Sequence, residues 1–272
     1  MATGTPTNSP HRVARGDLAR FQRQTVYAPL GLEGQKRLAA SGVLIVGVGG
    51  LGSWLAELLA RAGVGRLRLA DDDKVDLTNI HRQGLYDEQD AAAAAPKVQA
   101  AAARLAKIHS RCTIEPHAVR LDRGNIAALA EGVQLVLDGT DNFATRFLLN
   151  DYCVKARLPW VFAGVVGAEG QVLAIPAGGR PCLRCVYDQP PPPCADPSCR
   201  AAGVLGPAVA ALAALQAMEA VKILSGHAEQ VSPYLTKLDL WTNSIQRIDA
   251  AGAAAANCPC CRQGVYEFLD GP

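Results

Sequence analysis

The sequence predicts an α/β fold with a mainly parallel sheet that continues into an antiparallel C-terminal part. The apolar run at 43–46 is followed by a glycine-rich turn and then by an apolar helix pattern at 53–62. A second continuous apolar run, 133–137, is typical of a strand buried on both faces of a parallel sheet. Two late segments, 234–240 and 244–248, alternate apolar and polar residues, as the strands of an antiparallel hairpin do.

Composition and charge limit the class of protein. The chain has 272 residues, of which 49% are hydrophobic and 19% charged, which suits one large α/β domain or two small ones. A formal net charge of +2 gives little attraction toward nucleic acid. No apolar run approaches the roughly 18 residues of a membrane span, and the polar N-terminus lacks an apolar signal core. We therefore expect a cytoplasmic protein that binds neither membranes nor nucleic acid directly.

The first strand, turn and helix carry a nucleotide-binding fingerprint. The glycines of this turn are Gly47, Gly49, Gly50 and Gly52. In such a turn the glycines permit a tight bend, a close backbone approach to phosphate and close helix packing, and the helix N-terminus attracts the anion. The next strand, 67–70, ends in Asp71, whose carboxylate can accept hydrogen bonds from ribose hydroxyls. The pattern predicts a Rossmann-like nucleotide-binding unit but does not say which nucleotide it binds.

Polar residues and cations follow this unit. The segment behind the second strand contains Asn79, Arg82 and Gln83. An arginine there suits bidentate phosphate contact. Pro96 either interrupts the alanine-rich helix pattern at 87–109 or starts a new helix. In the second case Lys97 lies in a first helical turn, where a cation is unfavourable unless an anion is nearby. Arg82 and Lys97 argue against an NAD-dependent oxidoreductase or a simple nucleotide sensor.

The strand predicted at 133–137 ends in a cluster of polar residues. Ligands of open α/β sheets bind beyond the carboxyl ends of the strands, so Asp141 is a candidate for a metal or phosphate site. Alternatively, Asp141 caps the helix predicted at 143–157, a role that Asp138 or Asn142 would fill equally well. The sequence leaves these alternatives open.

The remaining elements follow from the same patterns. We expect a basic N-terminal helix at 18–25, which is either a solvated face or reaches a neighbouring subunit's site. Further helices are predicted at 34–41, 125–130 and 201–225, and strands at 112–119, 160–165 and 170–175. The last two strands are separated by a short turn and are expected to form a hairpin.

Four of the nine cysteines form two CxxC pairs. The pairs are Cys182 with Cys185 and Cys258 with Cys261. Four thiolates at this spacing suit a zinc ion that would join the C-terminus to the body of the protein, with redox dithiols as the alternative. Four protein ligands leave no position for water, so such a zinc would be structural. Cys260 is an additional thiol that could replace Cys258 or Cys261 as a ligand, although less favourably.

The proline-rich loop at 188–200 carries two more cysteines, Cys194 and Cys199. Cys199 lies in polar surroundings beside Arg200, and a neighbouring cation favours the thiolate. It is a candidate nucleophile, and the alternative is an ordinary free thiol.

Together these motifs resemble those of the MoeB, ThiF and HesA family. Its members are bacterial relatives of the ubiquitin-activating enzymes and include the activators of sulfur-carrier proteins. The resemblance covers about residues 18–262. The matching motifs are Arg20-x-x-Arg23-Gln24, Gly47-x-Gly49-Gly50-x-Gly52, Asp71-x-Asp73, Asn79-x-x-Arg82-Gln83, Pro96-Lys97, Thr140-Asp141-Asn142, the two CxxC pairs, Cys199-x-x-x-Gly203-Val204-Leu205 and Gln216-Ala217-Met218-Glu219-Ala220.

The resemblance implies that the nucleotide is ATP. Its ribose would lie on Asp71, and its remaining contacts would come from Gly47, Gly49, Gly50, Gly52, Asp73, Asn79, Arg82, Gln83, Lys97 and Asn142. Asp141 would hold Mg²⁺ beside the α-phosphate, and Arg23 would enter from the partner subunit of a homodimer. The C-terminal Gly-Gly carboxylate of a ubiquitin-like sulfur carrier would attack the α-phosphorus and release pyrophosphate. Arg23, Arg82, Lys97 and Asp141 are the expected catalytic residues, together with Cys199, which in this family can form a covalent intermediate. Cys194, the second thiol of the same loop, is a further candidate for that role.

The expected organisation is a disordered tail, 1–17, and one adenylyltransferase domain, 18–272. Within it, about 41–165 would bind the nucleotide and about 166–265 would carry the zinc and receive the carrier. Because the chain ends shortly after the second CxxC pair, we expect a separate sulfur donor, a cysteine desulfurase or a rhodanese. The alternative function keeps the fold and activates a carboxylate of a peptide substrate or in a tRNA modification.

Overall fold

A computed structural model describes residues 19–190, 203–250 and 257–271. Its strands are β1 Gly42–Val46, β2 Arg66–Ala70, β3 Thr113–His117, β4 Leu135–Asp138, β5 Trp160–Val166, β6 Glu169–Ile175, β7 Tyr234–Asp239 and β8 Ser244–Asp249. Its helices are α1 Gln22–Thr25, α2 Gly31–Ala40, α3 Gly50–Ala62, α4 Glu88–Ala92, α5 Lys97–Ile108, α6 Ile126–Ala130, α7 Phe143–Lys155, α8 Gly206–Ser225 and α9 Glu267–Asp270. Short 3-10 helices lie at Leu77–Arg82, Leu183–Cys185 and Ala228–Gln230.

The strands form one eight-stranded sheet in the order β3-β2-β1-β4-β5-β6-β7-β8. Pairing is parallel from β3 to β5 and antiparallel from β5 to β8. The predicted α/β fold, parallel first and antiparallel later, is therefore confirmed, as are the two hairpins.

The sheet divides the core into two layers. Successive side chains of a strand point to opposite faces, so Val43 and Ile45 pack with α3 and α8, whereas Leu44 and Val46 pack with α7. Both sets are buried, which explains why β1 is a continuous apolar run rather than an alternating one.

The glycine turn allows the first turn of helix α3 to pack closely against the end of β1. Helix α3 begins at Gly50, so the predicted start at residue 53 is wrong by three residues. A Cβ atom on Gly52 would lie 1.8 Å from the carbonyl oxygen of Gly47. Residue 52, in the first turn of the helix, must therefore be glycine, although glycine has a low helix propensity.

Pro96 starts a new helix. Residues 88–92 and 97–108 form the separate helices α4 and α5, and Pro96 is the N-cap of α5. Its fixed φ and missing N–H suit a helix start. Lys97 consequently lies in a first helical turn.

Helix α8 begins at Gly206, inside the helix predicted at 201–225, and is more apolar than we expected of any segment. By length and composition alone it is suited to cross a membrane, so the expectation that no apolar stretch approaches such a span is wrong. In the fold, α8 packs against α3 and against β5 and β6. Leu212, Ala213 and Ala220 are fully buried there. The position of α8 in the core accounts for its apolar composition.

Candidate active site

The loops behind three parallel strands meet at one edge of the sheet. Val46 is in register with Ala70 of β2 and with Asp138 of β4, so the residues that follow these strands are neighbours. A cleft of about 1380 Å³ opens at this edge and continues over the antiparallel strands. The nucleotide-site residues predicted from the sequence that line it are Gly47, Gly49, Gly50, Asp71, Asp73, Asn79, Arg82, Gln83, Lys97, Asp141 and Asn142.

The glycine turn presents open backbone to this cleft. Gly47 has a φ of +79°, a conformation that glycine adopts without penalty. A Cβ atom on Gly49 would have Gln83 Nε2, 3.5 Å away, as its nearest neighbour, so this glycine faces open space. Gly52 does not line the cleft and serves helix packing instead. An anion can therefore approach the backbone at Gly49.

Asp71 is held by the backbone of two loops. Its carboxylate accepts hydrogen bonds from Val48 N at 2.6 Å and from Asp73 N at 2.8 Å. Burial raises the pKa of Asp71 above its ordinary value, and the nearby Lys97 ammonium opposes that shift. The carboxylate is thus fixed at the end of β2, where a ribose would bind in a fold of this kind.

Lys97 is a buried cation whose partner is a carboxylate. Its side chain is only 5% exposed, and Nζ lies 2.7 Å from Oδ2 of Asp73, a side chain that is 69% exposed. Asp73 supplies the anion that a lysine in a first helical turn requires. The ammonium is thereby oriented at the wall of the cleft.

Arg82 is oriented by its own 3-10 helix. Its guanidinium donates to Oδ1 of Asn79 and to the carbonyl oxygen of Thr78, 3.2 Å away. Nη1 also lies 2.8 Å from Nε2 of His81. Gln83 is buried beside the glycine turn, and its Oε1 has no hydrogen-bond partner within the described ranges. Both side chains are thus placed for a ligand of the cleft.

The choice among Asp138, Asp141 and Asn142 as the cap of α7 falls on Asn142. Its Oδ1 accepts a hydrogen bond from Thr145 N at 2.9 Å. Asp138 is fully buried and binds Thr140 and Arg146. Asp141 is exposed to the cleft, and within the part of the chain that is described its carboxylate has no hydrogen-bond or ionic partner. Its side chain is free to receive a cation or a phosphate-bound metal ion.

The sequence does not reveal the buried pair beneath this loop. Arg146 Nε lies 3.1 Å from Oδ2 of Asp138. Burial raises the pKa of the Asp138 carboxyl, and the Arg146 guanidinium opposes that shift. The only sequence signal is an arginine one helical turn after Asn142.

The sequence does not reveal the far half of the cleft either. It lies on the antiparallel strands and is lined by residues that include Gly164, Gln171, Tyr187, Lys237 and Gln246. These residues come from β5 to β8 and from the segment that precedes the described gap at 191–202. These residues extend the cleft from the nucleotide-site residues onto the antiparallel strands.

Arg23 does not reach the cleft of its own chain. It lies exposed on α1 and is absent from the cleft lining. Its neighbours fix α1 elsewhere: Arg20 donates to the carbonyl of Ile108 at 2.7 Å, and Gln24 donates to that of Ala62 at 2.8 Å. Its supply to a partner subunit's site stays a prediction.

The two CxxC pairs come together behind α7. Cys182 Sγ lies 3.9 Å from Cys185 Sγ and 3.7 Å from Cys258 Sγ, and Cys185 Sγ lies 3.5 Å from Cys261 Sγ. All four sulfur atoms lie within 4.8 Å of one another. Sulfur contacts from Cys182 and Cys261 lower the pKa of the Cys185 thiol far below its ordinary value. A tetrahedral metal ion fits this set of donors.

Cys260 lies outside the cluster of four. Its sulfur is buried and accepts a hydrogen bond from Asn150 Nδ2 at 3.3 Å. Oδ1 of the same asparagine accepts from Leu183 N at 2.8 Å. Asn150, which lies on α7, therefore connects this helix to both CxxC segments. The candidate nucleophiles Cys194 and Cys199 lie outside the described residues.

Comparison with known proteins agrees with this architecture. The model of the ThiF family matches residues 21–260. The sulfur carrier protein ThiS adenylyltransferase of Bacillus subtilis (strain 168) is 37% identical over 250 residues, which cover 92% of this chain and 73% of that protein. The adenylyltransferase and sulfurtransferase MOCS3 of Sus scrofa is 42% identical over 260 residues, which cover 95% of this chain and 56% of that protein. The chain spans about half the length of the MOCS3 relatives.

Solved structures of low identity share the fold. E. coli MccB with ATP superposes with a TM-score of 0.77 at 22% identity, covering 89% of this chain and 74% of that chain. E. coli MccB with MccA gives a TM-score of 0.78 at 22% identity, with the same coverage. These likenesses speak for the fold alone. The family match over most of the sequence, together with the B. subtilis relative, shows that the chain belongs to the ThiF family.

Proposed function

We propose that this protein uses ATP to adenylate the C-terminal Gly-Gly carboxylate of a ubiquitin-like sulfur-carrier protein. The observation that carries the proposal is the size and lining of the cleft. At about 1380 Å³ it exceeds the roughly 300–1,000 Å³ of a pocket for one small ligand. One half carries the glycine turn and the cations, and the other half runs over the antiparallel strands. Family membership and the relatives' names support this choice of substrate.

The nucleotide half is suited to hold ATP. Asp71 would accept the ribose hydroxyls, and the backbone at Gly49 would face the phosphates. Arg82 and Lys97 would neutralise phosphate charge, Arg82 through a planar fork and Lys97 through a compact ammonium. Within the described part of the chain, Asp141 offers an unpaired carboxylate oxygen for Mg²⁺, a cation that prefers carboxylates and phosphates. Bound there, Mg²⁺ would neutralise part of the charge on the phosphates.

The reaction needs positioning more than proton transfer. A carboxylate oxygen of the carrier's last glycine forms a bond to the α-phosphorus, and the bond from that phosphorus to the bridging oxygen of pyrophosphate breaks. The nucleophile is ionised at neutral pH, so no general base is required. The protein's part is to hold two anions together by neutralising their charge in a fixed geometry.

The remaining features of this proposal extend beyond the cleft. We expect a homodimer in which Arg23 of each chain completes the site of the other. The four clustered thiols would hold a structural Zn²⁺, because a tetrahedron with Zn–S bonds of about 2.3 Å places sulfur atoms roughly 3.8 Å apart. Cys199 would serve a covalent step, sulfur would come from a separate cysteine desulfurase or rhodanese, and the protein would work in the cytoplasm.

ATP–pyrophosphate exchange tests the proposal. Purified protein is assayed with candidate carriers, each with and without its terminal Gly-Gly, and Asp141→Ala serves as the site variant. We expect exchange that requires the intact tail and falls at least about 100-fold in Asp141→Ala. The matched control is Asp122→Ala, in a surface turn outside the cleft, which should keep full exchange. ATP binding without exchange for any carrier would contradict the proposal and favour a peptide or tRNA-linked carboxylate.

A further inference from the structure

Arg146 joins four parts of the fold beneath the loop that carries Asp141. It lies on α7, and its side chain is 7% exposed. Nε donates to the Asp138 carboxylate at the end of β4, 3.1 Å away. Nη2 donates to the carbonyl oxygen of Thr140 at 2.7 Å and to that of Ala163 at 3.2 Å. One guanidinium thus connects a helix, a loop and two strands.

Two aromatic rings fix the orientation of this guanidinium. Its central carbon lies 5.0 Å from the ring centroid of Phe143 and 5.3 Å from that of Phe162. Cations over aromatic faces are stabilised by the ring quadrupole, and the planar guanidinium stacks where an ammonium does not. A lysine at this position keeps the charge and loses both the stacking and the fork of hydrogen bonds.

The loop is anchored on both sides of Asp141, whereas Asp141 itself is not. Before it, Thr140 is held by Arg146 through its carbonyl and by Asp138 through its N–H and hydroxyl. After it, Asn142 is held as the cap of α7. The Asp141 carboxylate has no partner within the described ranges, so its position is determined by its two neighbours.

From these contacts we propose that Arg146 is a positioning residue that fixes the Asp141 loop for catalysis. The inference rests on the function proposed above and adds a role to a residue that lines the cleft without any assigned contact to ATP. Arg146 acts through Thr140 and Asp138, which set the place of the Asp141 carboxylate. Misplacement of a reacting group by about 1 Å can cost on the order of 100-fold in rate.

The competing explanation is a purely structural ion pair. Buried pairs of this kind often contribute little net stability, and breaking one is destabilising wherever it lies. The two explanations differ in what a gentle substitution does to catalysis in protein that remains folded. Arg68 offers a matched comparison, because its guanidinium binds Oε2 of Glu115 at 2.6 Å and the carbonyl of Leu129 at 2.6 Å. Its side chain is 12% exposed and lies outside the cleft.

The first experiment compares Arg146→Lys with Arg68→Lys in carrier-dependent exchange. We expect Arg146→Lys to lose about 10- to 100-fold in kcat while the KM for ATP, measured with Mg²⁺, rises only about three- to fivefold. Arg68→Lys should stay within about twofold in both constants. If Arg146→Lys does not fold, Phe143→Leu replaces it, because that variant loosens the stacking and keeps the ion pair. Equal losses in the two arginine variants, or no loss in the Arg146 variant, would overturn the inference.

A double-mutant cycle then tests whether Arg146 acts through Asp141. In an Asp141→Ala background, adding Arg146→Lys should lower the residual rate by less than about threefold, since the group that Arg146 positions is already absent. Multiplicative losses would mean that the two residues act independently and would refute the positioning role.

A binding measurement separates this inference from the proposed function. The affinity for ATP is measured by calorimetry with excess Mg²⁺ and again with EDTA. The gain in affinity with Mg²⁺ should be lost in Asp141→Ala, reduced at least about threefold in Arg146→Lys and kept in Arg68→Lys. This result needs no carrier, so it supports the inference even if no carrier gives exchange. An undiminished gain in Arg146→Lys would overturn the inference, whatever the exchange assay shows.

Discussion

At the scale of single residues, Lys97 is a buried cation of the cleft that is paired with an exposed anion. The Lys97 ammonium is almost wholly buried, but its partner Asp73 is 69% exposed. A buried cation must be paired or neutralised, and an exposed carboxylate can be exchanged for a phosphate at small cost. We infer that Lys97 is already placed for ATP in the unliganded protein.

Replacing Lys97 by methionine tests this inference. The variant Lys97→Met keeps the length of the buried stem and removes the charge, so we expect exchange to fall at least about 100-fold. The melting temperature should change by less than about 4 °C, because the partner of the ion pair lies in solvent. The control is Lys155→Met, whose surface pair with Asp270 lies away from the cleft and whose exchange rate should not change. An active Lys97→Met variant would exclude a phosphate contact.

Two glycines of the same turn are expected to respond differently to alanine. A Cβ at residue 52 would lie 1.8 Å from the Gly47 carbonyl oxygen, whereas one at residue 49 would meet Gln83 Nε2 at 3.5 Å. We therefore expect Gly52→Ala to misfold or to lose more than about 10 °C in melting temperature. Gly49→Ala should stay folded and lose ATP affinity, because its methyl group occupies the space that a phosphate approaches. Thermal unfolding and ATP titration of both variants test this prediction. A stable Gly52→Ala variant together with a misfolded Gly49→Ala variant would contradict it.

At the scale of elements, the sequence predicts the order of strands and helices well and their ends less well. Continuous and alternating apolar runs identify β1, β4 and the late hairpin because burial on two faces or one leaves a direct imprint on sequence. Helix α3 starts earlier than predicted because the need for close packing at Gly52 outweighs helix propensity.

Some site residues leave no local pattern. Asn142, rather than Asp141, caps α7 because its backbone is extended, with φ −130° and ψ 142°, and adjacent polar residues do not reveal which one has that conformation. Arg146 is defined by contacts to residues 8 and 17 positions away in sequence. Pairing between distant elements of this kind depends on the fold and cannot be read from spacing.

The proposed zinc site on the two CxxC pairs gives a prediction at the scale of elements. Cys185→Ser should remove the bound metal, measured by elemental analysis, and lower the melting temperature by at least about 10 °C, because metal binding contributes directly to folding. Cys260→Ser is the matched control, since Cys260 is buried next to the cluster and accepts a hydrogen bond from Asn150 but is not one of the four clustered thiols. It should keep one metal ion per chain. Metal loss in Cys260→Ser with retention in Cys185→Ser would show that the ligand set is wrong.

At the scale of the whole molecule, the cleft has a nucleotide half on the parallel strands and a second half on the antiparallel strands. The sheet order places the change from parallel to antiparallel pairing at β5, beside the Asp141 loop. Arg146 contacts both β4 and β5 there. The two predicted substrates would therefore meet where the pairing changes.

The origin of Arg23 is the prediction that concerns the whole assembly. Because Arg23 is exposed on α1 and does not line its own cleft, we expect it to complete the site of a partner subunit. Arg23→Ala and Arg82→Ala should each be inactive alone. After denaturation and joint refolding in equal amounts, half of the dimers carry one intact site, so the mixture should recover about one quarter of the wild-type exchange.

The control for that experiment places both substitutions in one chain. Refolding Arg23→Ala/Arg82→Ala with wild type in equal amounts should leave only wild-type dimers active, because a mixed dimer then lacks one arginine in each site. The activity should then be about one quarter of that of a sample with the same total number of chains in which every chain is wild type. If Arg23 instead served its own chain, the single variants would not rescue each other and the control would retain about half of the activity. The two mixtures therefore give opposite answers for the two arrangements, and a monomeric protein would match the second.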